Sequence, residues 1–330
     1  MLLSLLAVSA LGGSGQVRRV GALLDESGNR AGITGQDMAY SISLGSTTLW
    51  LFGDTFYPNG AVSNNAAWTE DVDASDGITG LRALSKDGRP LPVLAFDAAE
   101  DPATTRLWPG HGIELGGQVF VYYSRVEVTG KGSWDFKHAG QGLAVGRGQG
   151  PLTRLKRQGR ADFWSASQPR FGVAVVKGKD ARVYVFGRDE AGSHALRLAR
   201  VSPEKIEDLD AYEYLASTSA PAWSTTLSSA AALFKDGPPE ASVSYNLHLG
   251  AYMMLYSRLH DQDVVLRTAP QPWGPWSKPR LLYRCRRFCI AAKEHPEYAK
   301  DDGRRIYFTL VDPKKAFGGL TELYEADLSK

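Results

Sequence analysis

Residues 35–56 read GQDMAYSISLGSTTLWLFGDTF. Apolar and aromatic residues alternate with small or polar ones on both sides of Leu44–Thr47, the pattern of two antiparallel strands joined by a short turn. In a tight hairpin, the start of one strand and the end of the next lie at the same end. Asp37 opens the first strand and Asp54 closes the second, so the hairpin is expected to bring two carboxylates out together. A pair held that way is what glycoside hydrolysis or cation binding needs. Either Asp alone is equally at home as a turn cap; the pairing is what points to a site.

The same hairpin pattern recurs four times downstream. Gly112–Gly117 turns into QVFVYYSRV (118–126), FGVAVVKGKDA into RVYVFGRD (182–189), SVSYNLHLG into AYMMLYSRL (251–259) and EYAKDDGR into RIYFTLVD (305–312). GLAVGRG (142–148), HALRLARV (194–201), DVVLRTAP (263–270) and LTELYEADL (320–328) read as third strands, and Gly80–Leu84 as the third strand of the first unit. Only Pro203–Tyr214 suggests a short helix. Five sheet units spaced by about 50 to 70 residues spell an all-β, five-bladed β-propeller. A two-sheet jelly roll would not repeat one hairpin five times.

In a propeller the innermost strand of each blade starts on the ligand face and the second strand returns there. Residues just before each inner strand and just after each second strand should therefore ring one pocket. They are Asp37 and Asp54 from blade one, then Trp108, His111 and Arg125 from blade two. Blade three gives Gln168, Arg170 and Arg188, blade four Glu240, Ser242 and Arg258, and blade five Lys293, Glu294 and His295. Trp for stacking and charged groups for hydroxyls suit a polyhydroxylated ligand. Trp273 and Trp276, in PWGPWS, read instead as packing between blades.

The chain has 330 residues, with a net charge of +2 and 22% charged residues, too balanced to argue for nucleic acid or an anionic membrane. The basic cluster Arg154, Lys156, Arg157 and Arg160 reads as a solvated loop. MLLSLLAVSALGG is apolar and ends in small residues, with Val8-Ser9-Ala10 resembling a signal-peptidase site but no basic residues before it. Residues 1–16 are therefore expected to be a signal peptide or disordered N-terminus, ahead of a single propeller domain at 17–330, in a secreted or periplasmic protein. No other stretch is long enough to span a bilayer. Cys285 and Cys289 fit a small disulfide loop, two idle thiols or half of a metal site. The acidic run Glu70–Gly77 fails the EF-hand pattern, because its Gly comes one place late and Arg82 stands where the bidentate Glu belongs. It reads as a solvated loop that follows Asp54 to the pocket edge.

TGQDMAYSISLGSTTLWLFGDTFY resembles the opening signature of a propeller family long carried as a domain of unknown function, some members of which are endo-D-arabinanases. WPGHGIELGGQVFVYYSRV, EASVSYNLHLGAYMMLYS, PWGPWSKPRLLY and KEHPEY agree with it, so the resemblance spans most of Asp37 to Leu310. It implies that Asp37 and Asp54 are central. Five-bladed furanosidases generally pair an inner-strand Asp base with a second Asp and a Glu acid from a later blade, which points to Glu240, although Pro238-Pro239 stands just before it. It also puts His295 at an axial position, bonding substrate or holding a cation or water. The expected site is thus catalytic Asp37, Asp54 and Glu240, with Trp108, His111, Gln168, Arg170, Arg188, Ser242 and His295 binding substrate. No protein-bound metal or cofactor is required, and an axial or structural cation such as calcium is compatible. The expected partner of a monomeric protein is a polysaccharide, with mycobacterial-type D-arabinan the one that the resemblance implies. The alternative is a non-catalytic carbohydrate-binding propeller.

Overall fold

The computed structural model describes residues 16–24, 29–132, 134–156, 159, 162–258, 263–286, 289–311, 319 and 321–329. Five antiparallel sheets form the five blades of a propeller. The innermost strands are Gly35–Ser43, Thr105–Leu115, Arg170–Lys177, Ser242–Asn246 and Ile290–Glu294. The second strands are Thr48–Tyr57, Gln118–Val128, Val183–Arg188, Ala251–Arg258 and Arg305–Val311. Among the described residues, the only helical segments are 3-10 turns of three residues, and no helix is long and apolar enough to cross a membrane.

Blade five is built from both ends of the described chain. Its outer strand, Val17–Ala22, pairs antiparallel with Thr321–Asp327, and Arg18 and Arg19 reach across to Glu325 and Glu322.

The apolar alternation of each strand feeds the gaps between blades. Five buried clusters form, one per gap: Tyr40, Leu49 and Val121 between blades one and two; Tyr122, Phe171 and Val185 between two and three; Phe186, Val243 and Met254 between three and four. Leu255, Ile306 and Phe308 fill the gap between four and five, and Trp50, Phe52 and Tyr307 the gap between five and one. At about 1.5–3 kcal/mol for each large apolar side chain buried, every blade is held by both neighbours. Trp273 lies 5.8 Å from Tyr184, and Trp276 lies 6.0 Å from Phe186, both between blades three and four. Near the axis, a Cβ on Gly110 would sit 2.6 Å from the Gly172 carbonyl oxygen, so the inner strands of blades two and three meet only because side chains are missing there.

The structure corrects several expectations. The third strand of blade one is Asn65–Thr69; within Gly80–Leu84, Arg82–Ala83 forms a short fourth strand. Pro203–Tyr214 holds two 3-10 turns, Pro203–Lys205 and Leu209–Ala211, not a helix. The inner strand of blade five is Ile290–Glu294, and most of EYAKDDGR forms 3-10 turns beyond it. The acidic run leaves the third strand of blade one, which runs away from Asp37, so it lies on the face opposite the pocket. There Asp71 accepts the Thr79 N–H at 2.8 Å, and Asp73 pairs with Lys300 at 2.6 Å. Arg154 is buried and grips Glu100 and the Tyr123 hydroxyl, while Lys156 pairs with Asp97 and Arg157 and Arg160 lie outside the described residues. Cys285 and Cys289 form a disulfide.

Candidate active site

The site begins with a distortion. Directly after Asp37 the backbone leaves the extended region: Met38 has φ 73° and Ala39 φ 80°. Neither is glycine, and each such residue costs on the order of 1–3 kcal/mol. The pairing with Thr48–Tyr57 skips at this point, from Gln36↔Thr55 to Met38↔Phe52 and then to Tyr40↔Leu51. Such bulges re-aim a side chain. Here the bulge turns Asp37 inward, and the Asp37 Oδ1 accepts the Met38 N–H at 2.7 Å. A Cβ on Gly53 would lie 3.0 Å from the Met38 sulfur, so the Met38 side chain packs tightly over the glycine of GDTF.

The same register leaves Gly53 and Asp54 opposite Asp37. Trp108, on the inner strand of blade two, donates its indole N–H to Asp54 Oδ1 at 3.1 Å. Burial raises the Asp54 carboxyl above its ordinary range against the pull of Trp108 and Arg106. Burial first, and then the Glu240 charge, pushes Asp37 up to about 7; the Met38 N–H and Lys293 oppose this, and Asp54 adds to it. Asp37 therefore senses both other carboxylates.

Glu240 comes from just before the inner strand of blade four. Its approach is fixed by two arginines. The Arg170 guanidinium donates to the Pro239 carbonyl and to Glu190, both at 2.7 Å. Arg188 donates to the Gly237 carbonyl at 2.8 Å and to Glu190 at 3.2 Å. Pro238-Pro239 does not set Glu240 back from the pocket; its backbone is the handle by which Arg170 holds the segment in place. Burial pushes Glu190 up, but Arg170, His138 and Arg188 outweigh it and hold the carboxyl at about 2. Across the axis, Lys293 is buried and meets Glu240 at 2.5 Å. The Lys293 ammonium also donates to the Ala291 carbonyl at 3.1 Å and lies 4.3 Å from the Tyr40 ring centroid. Tyr40, Trp108, Arg170 and Glu240 line one narrow cavity of about 10 Å³, room for roughly one water.

The other expected residues lie elsewhere. His111 stacks 5.2 Å from Tyr40 and accepts the Val175 N–H at 3.0 Å. Burial lowers its imidazole to about 4, so it is a neutral strut between blades. His295 is fully buried, with one ring nitrogen on Ser41 at 2.6 Å and the other on Thr309 at 2.8 Å. Both nitrogens are taken within the protein, and burial keeps the ring neutral. Ser242 is buried and accepts the Glu294 N–H at 2.7 Å. Glu294 in turn accepts the Ser244 hydroxyl at 2.6 Å and is raised to about 7 by burial. Gln168 caps a turn by accepting the Ser165 N–H at 2.8 Å and lines a separate open cleft of about 320 Å³ with Asp189 and Arg197. Arg125 pairs with Asp162 at 2.6 Å, and Arg258 with Asp263 at 3.2 Å. Among the described residues no three His, Cys, Asp or Glu side chains group into a metal site.

Sequence reading missed Tyr40, His138 and Glu190. Tyr40 sits in the quoted hairpin, but only the double bulge turns it to the axis. His138 follows the alternation of its strand and carries no signal of its own. Glu190 stands beside Arg188 in GRDE, where a charged turn is the ordinary reading.

The sequence matches, over residues 24–315, the model of a family described as domain of unknown function DUF4185. No curated protein matches it. Solved structures of the same shape include a GH43_1 enzyme from Xanthomonas citri, with TM-score 0.57, 14% identity, and coverage of 94% of this chain and 90% of that one. An exo-β-1,3-galactanase from Phanerochaete chrysosporium gives 0.61, 14%, 95% and 64%, and an α-L-arabinofuranosidase from Podospora anserina gives 0.55, 14%, 96% and 98%.

Proposed function

The chain belongs to the DUF4185 family, and from that premise we propose that it is a secreted glycoside hydrolase that cleaves furanoside linkages in a polysaccharide, foremost D-arabinan of the mycobacterial type. The observation that carries this reading is that Asp37 feels the charges of both Glu240 and Asp54, while Glu240 and Trp108, whose indole N–H holds Asp54, line one cavity. The propeller glycosidases of the same shape support the reaction class. The resemblance of the opening hairpin to the endo-D-arabinanases supports the substrate. The Cys285–Cys289 disulfide is in keeping with an oxidising compartment.

Glycoside hydrolysis needs one carboxyl that carries a proton and one that does not. Asp37, pushed up to about 7, suits the first role: it hands its proton to the glycosidic oxygen as the bond to the anomeric carbon breaks. Glu240, ion-paired with Lys293, suits the carboxylate role, acting on water or on the anomeric carbon. This reverses the split that the resemblance implies, in which an Asp is the base and the Glu the acid. Asp54 and the Trp108 indole fix the sugar and tune Asp37.

The test is digestion of purified mycobacterial arabinogalactan by wild type and Asp54→Asn, with products separated by chromatography. Oligoarabinosides released by wild type alone bear the reading out. Equal release by both removes Asp54 from the chemistry. No release by either folded protein favours a carbohydrate-binding propeller.

A further inference from the structure

The strands of blade two that flank its outer turn, Gln118–Val128 and Phe136–Gly146, have eleven residues each. Gln118–Val128 runs toward the face that holds Asp37, so the turn between the two strands stands above that face. The turn is stapled: Gly132 donates its N–H to Asp135 Oδ2 at 2.7 Å, Thr129 to the Asp135 carbonyl at 2.8 Å, and Phe136 to the Trp134 carbonyl at 2.9 Å. At its tip Trp134 is 59% exposed. Among the described residues five large hydrophobics are exposed, and Trp134 is the one aromatic side chain of the five.

Trp134 connects to the site. Its ring centroid lies 6.4 Å from that of Phe136, and Phe136 meets Trp108 edge-on at 4.8 Å. Trp108 is the residue whose indole N–H holds Asp54. Three aromatic rings in contact thus run from the carboxylates to the rim of blade two. The bland account of an exposed Trp is a scattered surface apolar residue. A ring on a stapled turn, in line with two others that end at a carboxylate pocket, has a more specific use: aromatic faces take the apolar faces of sugar rings at low entropic cost.

We propose that Trp134, Phe136 and Trp108 form a substrate track over blade two, on which successive sugars of a neutral polysaccharide chain stack, with the distal sugar on Trp134. The track rests on the glycoside hydrolase reading and deepens it: a chain anchored beyond the cleavage point lies in an open groove, which suits attack within a polymer. Phe136 supplies the middle step and carries no polar group, so the track selects for ring faces and not for charge.

The experiment compares wild type, Trp134→Ala and Trp134→Phe on arabino-oligosaccharides of increasing length, alongside mobility in native gels cast with and without arabinogalactan. The tip is exposed, so the variants should melt with wild type. The expected result is an approximately five- to tenfold higher KM for Trp134→Ala on long chains, unchanged kcat/KM on the shortest cleaved substrate, loss of gel retardation, and partial recovery in Trp134→Phe. A Trp134→Ala protein that matches wild type at every length and in the gel overturns the track but leaves the hydrolase reading standing. A wild type neither retarded by the polymer nor active on it overturns both. Retardation of wild type without hydrolysis, lost in Trp134→Ala, keeps the track and overturns only the hydrolase reading.

Discussion

The Lys293 ammonium and the Glu240 carboxylate meet at 2.5 Å between the inner strands of blades five and four, 53 residues apart in sequence. Lys293 also pulls Asp37 down while Glu240 pushes it up. Burial is the largest influence on Asp37 and raises it; one buried cation, paired with a carboxylate on a second blade, opposes that rise on a third.

Replacing Lys293 with Met keeps the stem and removes the charge. Asp37 then loses an opposing cation, so its proton-binding range moves up from about 7. The alkaline limb of the kcat/KM–pH profile should shift to higher pH, and kcat should fall by about a hundredfold or more. Because the other partner stays partly buried and uncompensated, stability should drop by roughly 3–5 kcal/mol. A pH-rate profile together with urea titration reads both. An unmoved alkaline limb would show that Asp37 does not carry the titrating proton.

Asp37→Asn should separate activity from stability. The folded carboxyl is raised to about 7 from an ordinary value of 3.8. The fold therefore favours the protonated form. That stabilisation is full below about 4 and is lost as pH rises through 7. The Asn variant has no such loss. Its melting temperature relative to wild type should climb between pH 4 and 7 and then level off, while hydrolysis is abolished. A difference that is flat with pH would contradict the strained, desolvated setting of Asp37.

Arg170→Met releases the Pro239 carbonyl and one oxygen of Glu190. Glu240 loses its fixed approach, so kcat should fall by about ten- to a hundredfold, with KM changing less. Glu190, held at about 2 against burial, should titrate higher. A depressed carboxyl contributes stability above its unfolded range and loses it as pH falls toward 2. Arg170→Met should therefore lose much of its stability deficit in acid. Thermal melts at pH 7 and pH 3 check the sign.

The hairpins were readable because strand alternation and turn residues are local. Asp37 and Asp54 could be paired on paper because a hairpin's geometry fixes which ends coincide. Asn65–Thr69 escaped because NAAWT is short and five-for-five buried, without the polar alternation that marks a strand. His111 and His295 read as ligand-facing because sequence shows a residue's place in a strand but not its depth along the axis. Both lie one layer below the carboxylates, where neutral imidazoles bridge blades. The Glu240–Lys293 pair was out of reach for another reason: both residues were on the ring, but no periodicity says which members of a ring touch. Arg154 was hidden in the same way, since its acid, Glu100, sits in an irregular stretch 54 residues earlier.

The seal in blade five bears on how the molecule is made. Arg18 and Glu325, joined across it, are 307 residues apart. The ring has no finished edge until its last strand has been synthesised and the first has waited for it. Such distant pairing slows assembly. Until then blade five offers an open strand edge to any extended chain nearby. Closing the circle therefore waits on the strand Thr321–Asp327, where Arg18 and Arg19 meet Glu325 and Glu322.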